Sequence, residues 1–174
     1  MQQNESGHAA FWEPEEPLPP NPGTAEAETL VKLLSSGGQY VRTGILLLPS
    51  EWLGREGEVA ARLGISHVNY AGWKAAQLPA PQSFLLLSAD RLLGELDELC
   101  LESHPHTTLL VSLLDLPLTR LHPAERSKFW QFFCGGFSKR PRALLLALPE
   151  AATLALPAEA EGWQTEGRLA AWSL

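Results

Sequence analysis

Residues Gly44–Glu58 read G-I-L-L-L-P-S-E-W-L-G-R-E-G-E. An unbroken apolar run stops at Pro49, and a short glycine-containing turn follows. Residues 51–63 then place Trp52, Val59 and Leu63 at spacings that suit a helix, with Gly64 as its C-terminal stop. The apolar run extends back to Tyr40 and reads as a strand. Without polar alternation, such a strand must be covered on both faces, as in parallel sheets.

The same grammar recurs along the chain. Thr107–Leu114 and Ala143–Leu148 are two more runs of the buried-strand type, and Ile65–Tyr70 is a shorter strand. Between them lie helical patterns. A short one spans 25–36, with Leu30, Leu33 and Leu34 on one side, and ends at Gly37-Gly38. The clearest spans 89–102, with Leu92, Leu96 and Leu99 in a stripe widened by Leu93 and Cys100. Another spans 123–137, with Pro123 in its first turn, Glu125 beside its positive end, and Phe129, Trp130, Phe133 and Phe137 on its apolar face. Residues 71–83 are ambiguous because Pro79 and Pro81 limit any helix, and Phe84–Leu87 reads as a brief strand or the start of the next helix. The C-terminal part reads as helical around Ala151 and near Trp163, closing with a short strand around Arg168–Trp172. Strands separated by helices require crossover connections. The expected fold is therefore α/β and three-layered, with a mostly parallel sheet.

Residues 1–25 differ from the rest. Pro14, Pro17, Pro19, Pro20 and Pro22 each fix their own φ and remove a backbone donor, and Glu5, Glu13, Glu15 and Glu16 add negative charge. The segment is expected to be an acidic, Pro-rich, flexible arm preceding one domain over 26–174. Phe11 and Trp12 are its aromatic pair, suited to anchoring the arm to a partner or to its own domain.

The 174-residue chain carries a net charge of −7 and a pI near 5.2. Such a balance provides no general footprint for nucleic acid, so DNA would be reached only indirectly, through partners. Arginines outnumber lysines nine to four. Cys100 and Cys134 lack metal-ligand spacing and read as reduced thiols on helices. The first residues have neither a basic start nor an apolar stretch, and no apolar run approaches the ~20 residues of a membrane span. A cytoplasmic protein with no membrane contact is the expectation.

The turn after the first central strand stands where a phosphate loop, G-x-x-x-x-G-K-[ST], would stand. Laid on residues 49–56, the template keeps Gly54. Its first glycine is replaced by Pro49, which has no N–H, its lysine by Arg55 and its hydroxyl by Glu56. Glu51 adds a second carboxylate and Trp52 adds bulk. The position fits and the chemistry does not, so the expected layout is that of a degenerate P-loop NTPase-like fold. If nucleotide bound at all, Gly54, Arg55 and Asp115 would be its contacts. Asp115 follows the run L-L-V-S-L-L and could hold a water on Mg²⁺ or cap the turn before Pro117. No catalytic residue, cofactor or metal is expected. His104 and His106 share one side of an extended segment, but no third ligand is near in sequence. The cluster Lys139-Arg140-Pro141-Arg142 suits the end of the 123–137 helix. Cys134, among aromatics, is an unpromising nucleophile.

The order from the strand before 49–56, through the helix ending A-A-R-L-G, the strand S-H-V-N-Y, the helix D-R-L-L-G-E-L-D-E-L and the run L-L-V-S-L-L-D-L, resembles the small P-loop proteins of BREX-type phage-defence systems. The resemblance spans about residues 40–118. It implies a RecA-like fold and a subunit of a multiprotein defence complex acting on DNA. The SulA-type cell-division inhibitors are a weaker architectural likeness. The expected function is accordingly a non-catalytic interaction or scaffold subunit in a bacterial phage-defence or DNA-handling complex. The alternatives are an ATPase with an unconventional loop and a SulA-like inhibitor of a polymerising partner. Phe11, Trp12, Phe129, Trp130, Phe132 and Phe133 are the expected partner-binding residues.

Overall fold

A computed structural model of the chain describes residues 22–36, 41–78, 87–137 and 139–173. Its centre is a five-stranded, all-parallel sheet in the order β2-β3-β4-β1-β5. The strands are β1 (Thr43–Leu48), β2 (Ser66–Asn69), β3 (Thr108–Ser112), β4 (Ala143–Pro149) and β5 (Leu169–Ala171). The three apolar runs that lack polar alternation occupy the three interior places. Every residue of β3 is buried, as is every residue of β4 except Pro149. Burying one such leucine stabilises the fold by about 1.5–3 kcal/mol, which favours central over edge positions.

The helices are α1 (Pro22–Ser35), α2 (Glu56–Leu63), α3 (Tyr70–Gln77), α4 (Ala89–Leu101), α5 (Asp115–Arg120), α6 (Pro123–Gly136) and α7 (Ala160–Thr165). They split between the two faces. Ala27, Leu30 and Leu34 of α1 and Val59 and Ala60 of α2 pack with Leu46, Leu110, Leu145 and Ala170 on one face. Leu92, Leu96 and Leu99 of α4, Leu118 of α5, Phe129 and Phe133 of α6 and Trp163 of α7 pack with Ile45, Leu109, Leu144 and Leu146 on the other. This is the three-layer arrangement. The split follows from chain direction: β1-α2-β2 moves one way along the sheet, β2 through β5 moves the other way, and right-handed crossovers put the two sets on opposite faces.

Several local details depart from the sequence reading. The first helix begins at Pro22 instead of residue 25, because a proline costs nothing in a first turn whose N–H has no intrahelical partner. Residues 50–52 form a single 3-10 turn, and the helix proper starts only at Glu56. Residues 70–77 are helical, with the Asn69 side chain accepting from the Gly72 N–H at 2.9 Å. Asp115 opens a short helix that Pro117 permits because it falls in the first turn. Phe84–Leu87 lies outside the described residues except for Leu87, which is in no helix or strand. Gly64 does end α2: its φ is +64° and its N–H reaches Ala60 and Ala61.

Two polar devices tie neighbouring elements together. Glu95, buried on α4, accepts from the Tyr70 hydroxyl, from Lys74 Nζ at 2.5 Å and from Arg91 Nε at 3.0 Å. Arg168, 4% exposed, donates to the Thr43 carbonyl at 3.1 Å, to the Cys134 carbonyl at 3.1 Å and to Cys134 Sγ at 2.8 Å, and its guanidinium lies over the Trp163 ring. It thereby joins the start of β1, the end of α6 and α7.

Candidate functional site

Parallel strands bring their following loops to one rim of the sheet, which is where α/β proteins place ligands. Three such loops lie side by side here: 113–114 after β3, 150–159 after β4, and 49–55 after β1. Gly54 and Arg55 belong to the last and Asp115 follows the first, so β4 stands between them.

The 49–55 loop has little to offer an anion. Pro49 has no N–H. The next amides fold inward: Trp52 donates to the Pro49 carbonyl at 3.0 Å, Leu53 to Ser50 at 3.3 Å and Arg55 to Trp52 at 3.1 Å. The Gly54 N–H donates to the Glu56 carboxylate at 2.9 Å. Four consecutive donors of the kind that cradle phosphate are thus satisfied inside the loop, one of them by a negative charge. Trp52 is 4% exposed and packs edge-on against Trp172, so it pins the loop to the core. Arg55 pairs with Glu58 at 2.7 Å, and its guanidinium lies over the Trp52 ring. The hydrogen bond to Glu58 raises the Arg55 pKa, and the same bond lowers that of Glu58. The residues present do not fit a triphosphate.

Behind this loop lies a contact that the sequence did not disclose. His67 Nε2 is 2.8 Å from Ser112 Oγ, between β2 and β3. Gly57 of α2 passes close by; a Cβ there would lie 3.6 Å from His67 Nδ1. Burial lowers the His67 pKa, partly offset by the charge of Glu56. Ser112 is 1% exposed, so its hydroxyl is a structural partner of His67 and does not face an incoming substrate.

The expected partner-binding aromatics divide. Phe129, Trp130 and Phe133 are core residues at 0%, 5% and 0% exposure, while Phe132 is 53% exposed. α6 packs against the sheet on one side and on another against the segment from Ala155 to Trp163. Trp130 Nε1 donates to the Ala155 carbonyl at 3.0 Å, and its ring meets Trp163 edge-on. The surface expected on this helix therefore narrows to Phe132. Phe11 and Trp12 lie outside the described residues.

The basic cluster serves a different helix end from the one its sequence position suggests. Arg142 donates to the Cys100 and His104 carbonyls at 2.8 and 3.4 Å, satisfying the C-terminal end of α4, and Arg140 pairs with Asp97 of α4. His106 Nδ1 meets Ser66 Oγ at 3.1 Å, and among the described residues no three His, Cys, Asp or Glu side chains converge as metal ligands. Burial pushes the Cys100 thiol up to about 12, away from reactivity. No described helix is long and apolar enough to cross a membrane.

Beside its exposed charges, the rim presents apolar side chains. Four of the six large hydrophobic side chains exposed among the described residues sit there: Leu53 (43%), Leu113 (43%), Leu116 (62%) and Leu154 (70%). α5, carrying Leu116, touches the 3-10 turn Thr153–Ala155 that carries Leu154. Leu113 has φ +61°, a left-handed conformation unusual for a residue with a side chain. No sequence signal marks these leucines, because leucine is the commonest core residue and exposure is a tertiary property. The chain matches no protein-family model and no curated protein.

Proposed function

We propose that this protein is a non-catalytic interaction subunit whose α/β fold has the layout of a degenerate P-loop domain. Its setting is a bacterial phage-defence or DNA-handling complex, as the family resemblance implies. One observation supports the non-catalytic part: Trp52, Leu53, Gly54 and Arg55 direct their N–H groups to acceptors in the loop or at Glu56, so these four amides are not free to converge on a polyphosphate. The interaction part is supported by the solvent-facing leucines at the same rim. An apolar cluster at the ends of central strands suits protein contact better than it suits a charged nucleotide.

Calorimetric titration with MgATP tests the first part, with no saturable heat as the expected result. Saturable Mg²⁺-dependent binding that disappears in Arg55→Ala would overturn it in favour of an ATPase. For the second part, the wild-type chain should co-purify with a stoichiometric partner from its native host. Leu116→Asp/Leu154→Asp should lose that partner while keeping its wild-type circular dichroism.

A further inference from the structure

The sheet ends laterally at β2 and β5. On β5 the inward groups are accounted for: the Arg168 carbonyl accepts from the Ile45 N–H and the Trp172 N–H donates to the Leu47 carbonyl, both at 2.8 Å. In a parallel ladder, alternate residues bond to alternate sides. Leu169 and Ala171 therefore aim their N–H and C=O groups away from β1, and among the described residues neither has a backbone partner on that side. Such an edge is a template for one more strand. Beside it runs a groove of about 480 Å³. Ala25 and Leu30 of α1 and Ala170 of β5 are its apolar lining, and Glu26, Thr29 and Gln164 its polar lining.

Charge decides what kind of strand fits. Among the described residues, no lysine or arginine lines the groove. Glu26 stands on its α1 flank. On the α7 flank, Glu161 lies one turn before Gln164 and Glu166 lies next to Gly167, and both are exposed. Two cations are near, and neither faces the groove wall. Arg168 is 4% exposed and donates to the Thr43 and Cys134 carbonyls, meeting Glu166 only at 3.5 Å. Lys32 lies a turn beyond Thr29 along α1. A second copy laid against β5 would set these carboxylates against their own counterparts, on a chain of net charge −7. Like charges facing each other across a strand pair are destabilising, whereas opposite charges stabilise it.

We propose that the β5 edge takes an extended, basic segment of a partner protein as an added strand. The segment's backbone bonds to the outward N–H and C=O groups of Leu169 and Ala171, which supplies affinity without regard to sequence. Its side chains alternate between the two faces and supply the choice of partner. Apolar ones enter the groove on the α1 side, against Ala25, Leu30 and Ala170. Lysines or arginines on the α7 side meet Glu161 and Glu166, and Glu26 adds to the same attraction. This edge is separate from the rim leucines, so the assignment does not depend on what docks there.

NMR on the full chain, titrated with a short capped peptide of alternating valine and lysine, tests it. Saturable shifts are expected at Leu169–Ala171, and the Leu169 and Ala171 amides should exchange at least tenfold more slowly with the peptide bound. The Trp172 amide, bonded to β1, should be unchanged and reports that the chain is folded. Ala171→Pro removes an N–H that faces away from β1, a place where an edge strand tolerates proline, and should weaken binding at least tenfold. Glu161→Lys/Glu166→Lys should weaken it similarly and favour a valine–glutamate peptide instead. A change in the peptide keeps the test open where a variant fails to fold: of the two alternate sets of peptide amides, methylation of one should abolish binding by the wild-type chain. No saturable shift at Leu169 and Ala171 would overturn the proposal, as would equal binding of the glutamate peptide or binding that survives methylation of either set. Protection of these amides in the free chain that rises with protein concentration would mean a second copy occupies the edge, and overturns it too.

Discussion

Glu56→Ala is the perturbation that most directly probes the closed loop. The Glu56 side chain is 8% exposed and accepts from the Gly54 N–H at 2.9 Å, while standing in the first turn of α2. A hydrogen bond to a charged group contributes about 1.5–3 kcal/mol. An acid at a helix N-terminus adds about 0.3–1 kcal/mol. The expected loss is therefore about 2–4 kcal/mol, read by urea unfolding, and for a domain of this size the melting temperature should fall by about 2–4 °C per kcal/mol. Glu56→Gln keeps an acceptor and loses the charge, and should lose about half as much. The variant also frees one N–H and removes one negative charge at the place where phosphate would sit. If Glu56 alone kept nucleotide out, Glu56→Ala would gain stability in MgATP; at a hundredfold excess over Kd the gain would be about 2.7 kcal/mol. No gain is expected, because Trp52, Leu53 and Arg55 keep their own acceptors. A loss under 0.5 kcal/mol, or MgATP stabilisation of the variant, would refute the reasoning.

Leu113 holds a left-handed φ of +61°, so Leu113→Gly should be more stable than Leu113→Ala by about 0.5–1 kcal/mol, the reverse of the usual order; chemical unfolding of the pair decides it. Burial alone would push the Glu95 pKa up, but its bonds to Lys74, Tyr70 and Arg91 outweigh that and hold it below 4.5. A carboxyl lowered in the folded state contributes stability that is full above its ordinary value and lost as pH falls through the folded one. Glu95→Gln should therefore remove stability at neutral pH and flatten the acid limb below pH ~4.5 in unfolding measured across pH. For His67, lowered by burial, the folded state binds its proton less readily than the unfolded chain. Stability should decline as pH falls below about 6.5, and His67→Asn should flatten that slope.

The fold class was readable because β1, β3 and β4 are apolar without alternation, and only a two-sided environment explains such strands. Even the three-residue β5 showed, through the small apolar stretch after Gly167. The strand order was not readable, since it depends on which loops span which distance. α5 was missed because it has six residues and a proline, too few for a periodic signal. On α6, the aromatics that looked surplus to one apolar face are absorbed by a second neighbour, the segment carrying Ala155 and Trp163, which no local pattern announces. At the candidate site, the missing N–H of Pro49 and the acid at 56 could be read directly. The inward turn of four amides is a matter of dihedral angles and could not.

The helix layers on both sides of the sheet have one more consequence. Since neither broad face of the sheet is available to solvent, its strands can meet a partner only through the loops at their ends and the lateral edges, and the exposed Leu53, Leu113, Leu116 and Leu154 of those loops stand outside the two hydrophobic clusters. Specificity can then drift quickly while the interior stays fixed: replacing Leu113 and Leu116, or Leu154, would re-address the molecule to a new neighbour, whereas Leu114 and Ala155 beside them hold the core and must stay.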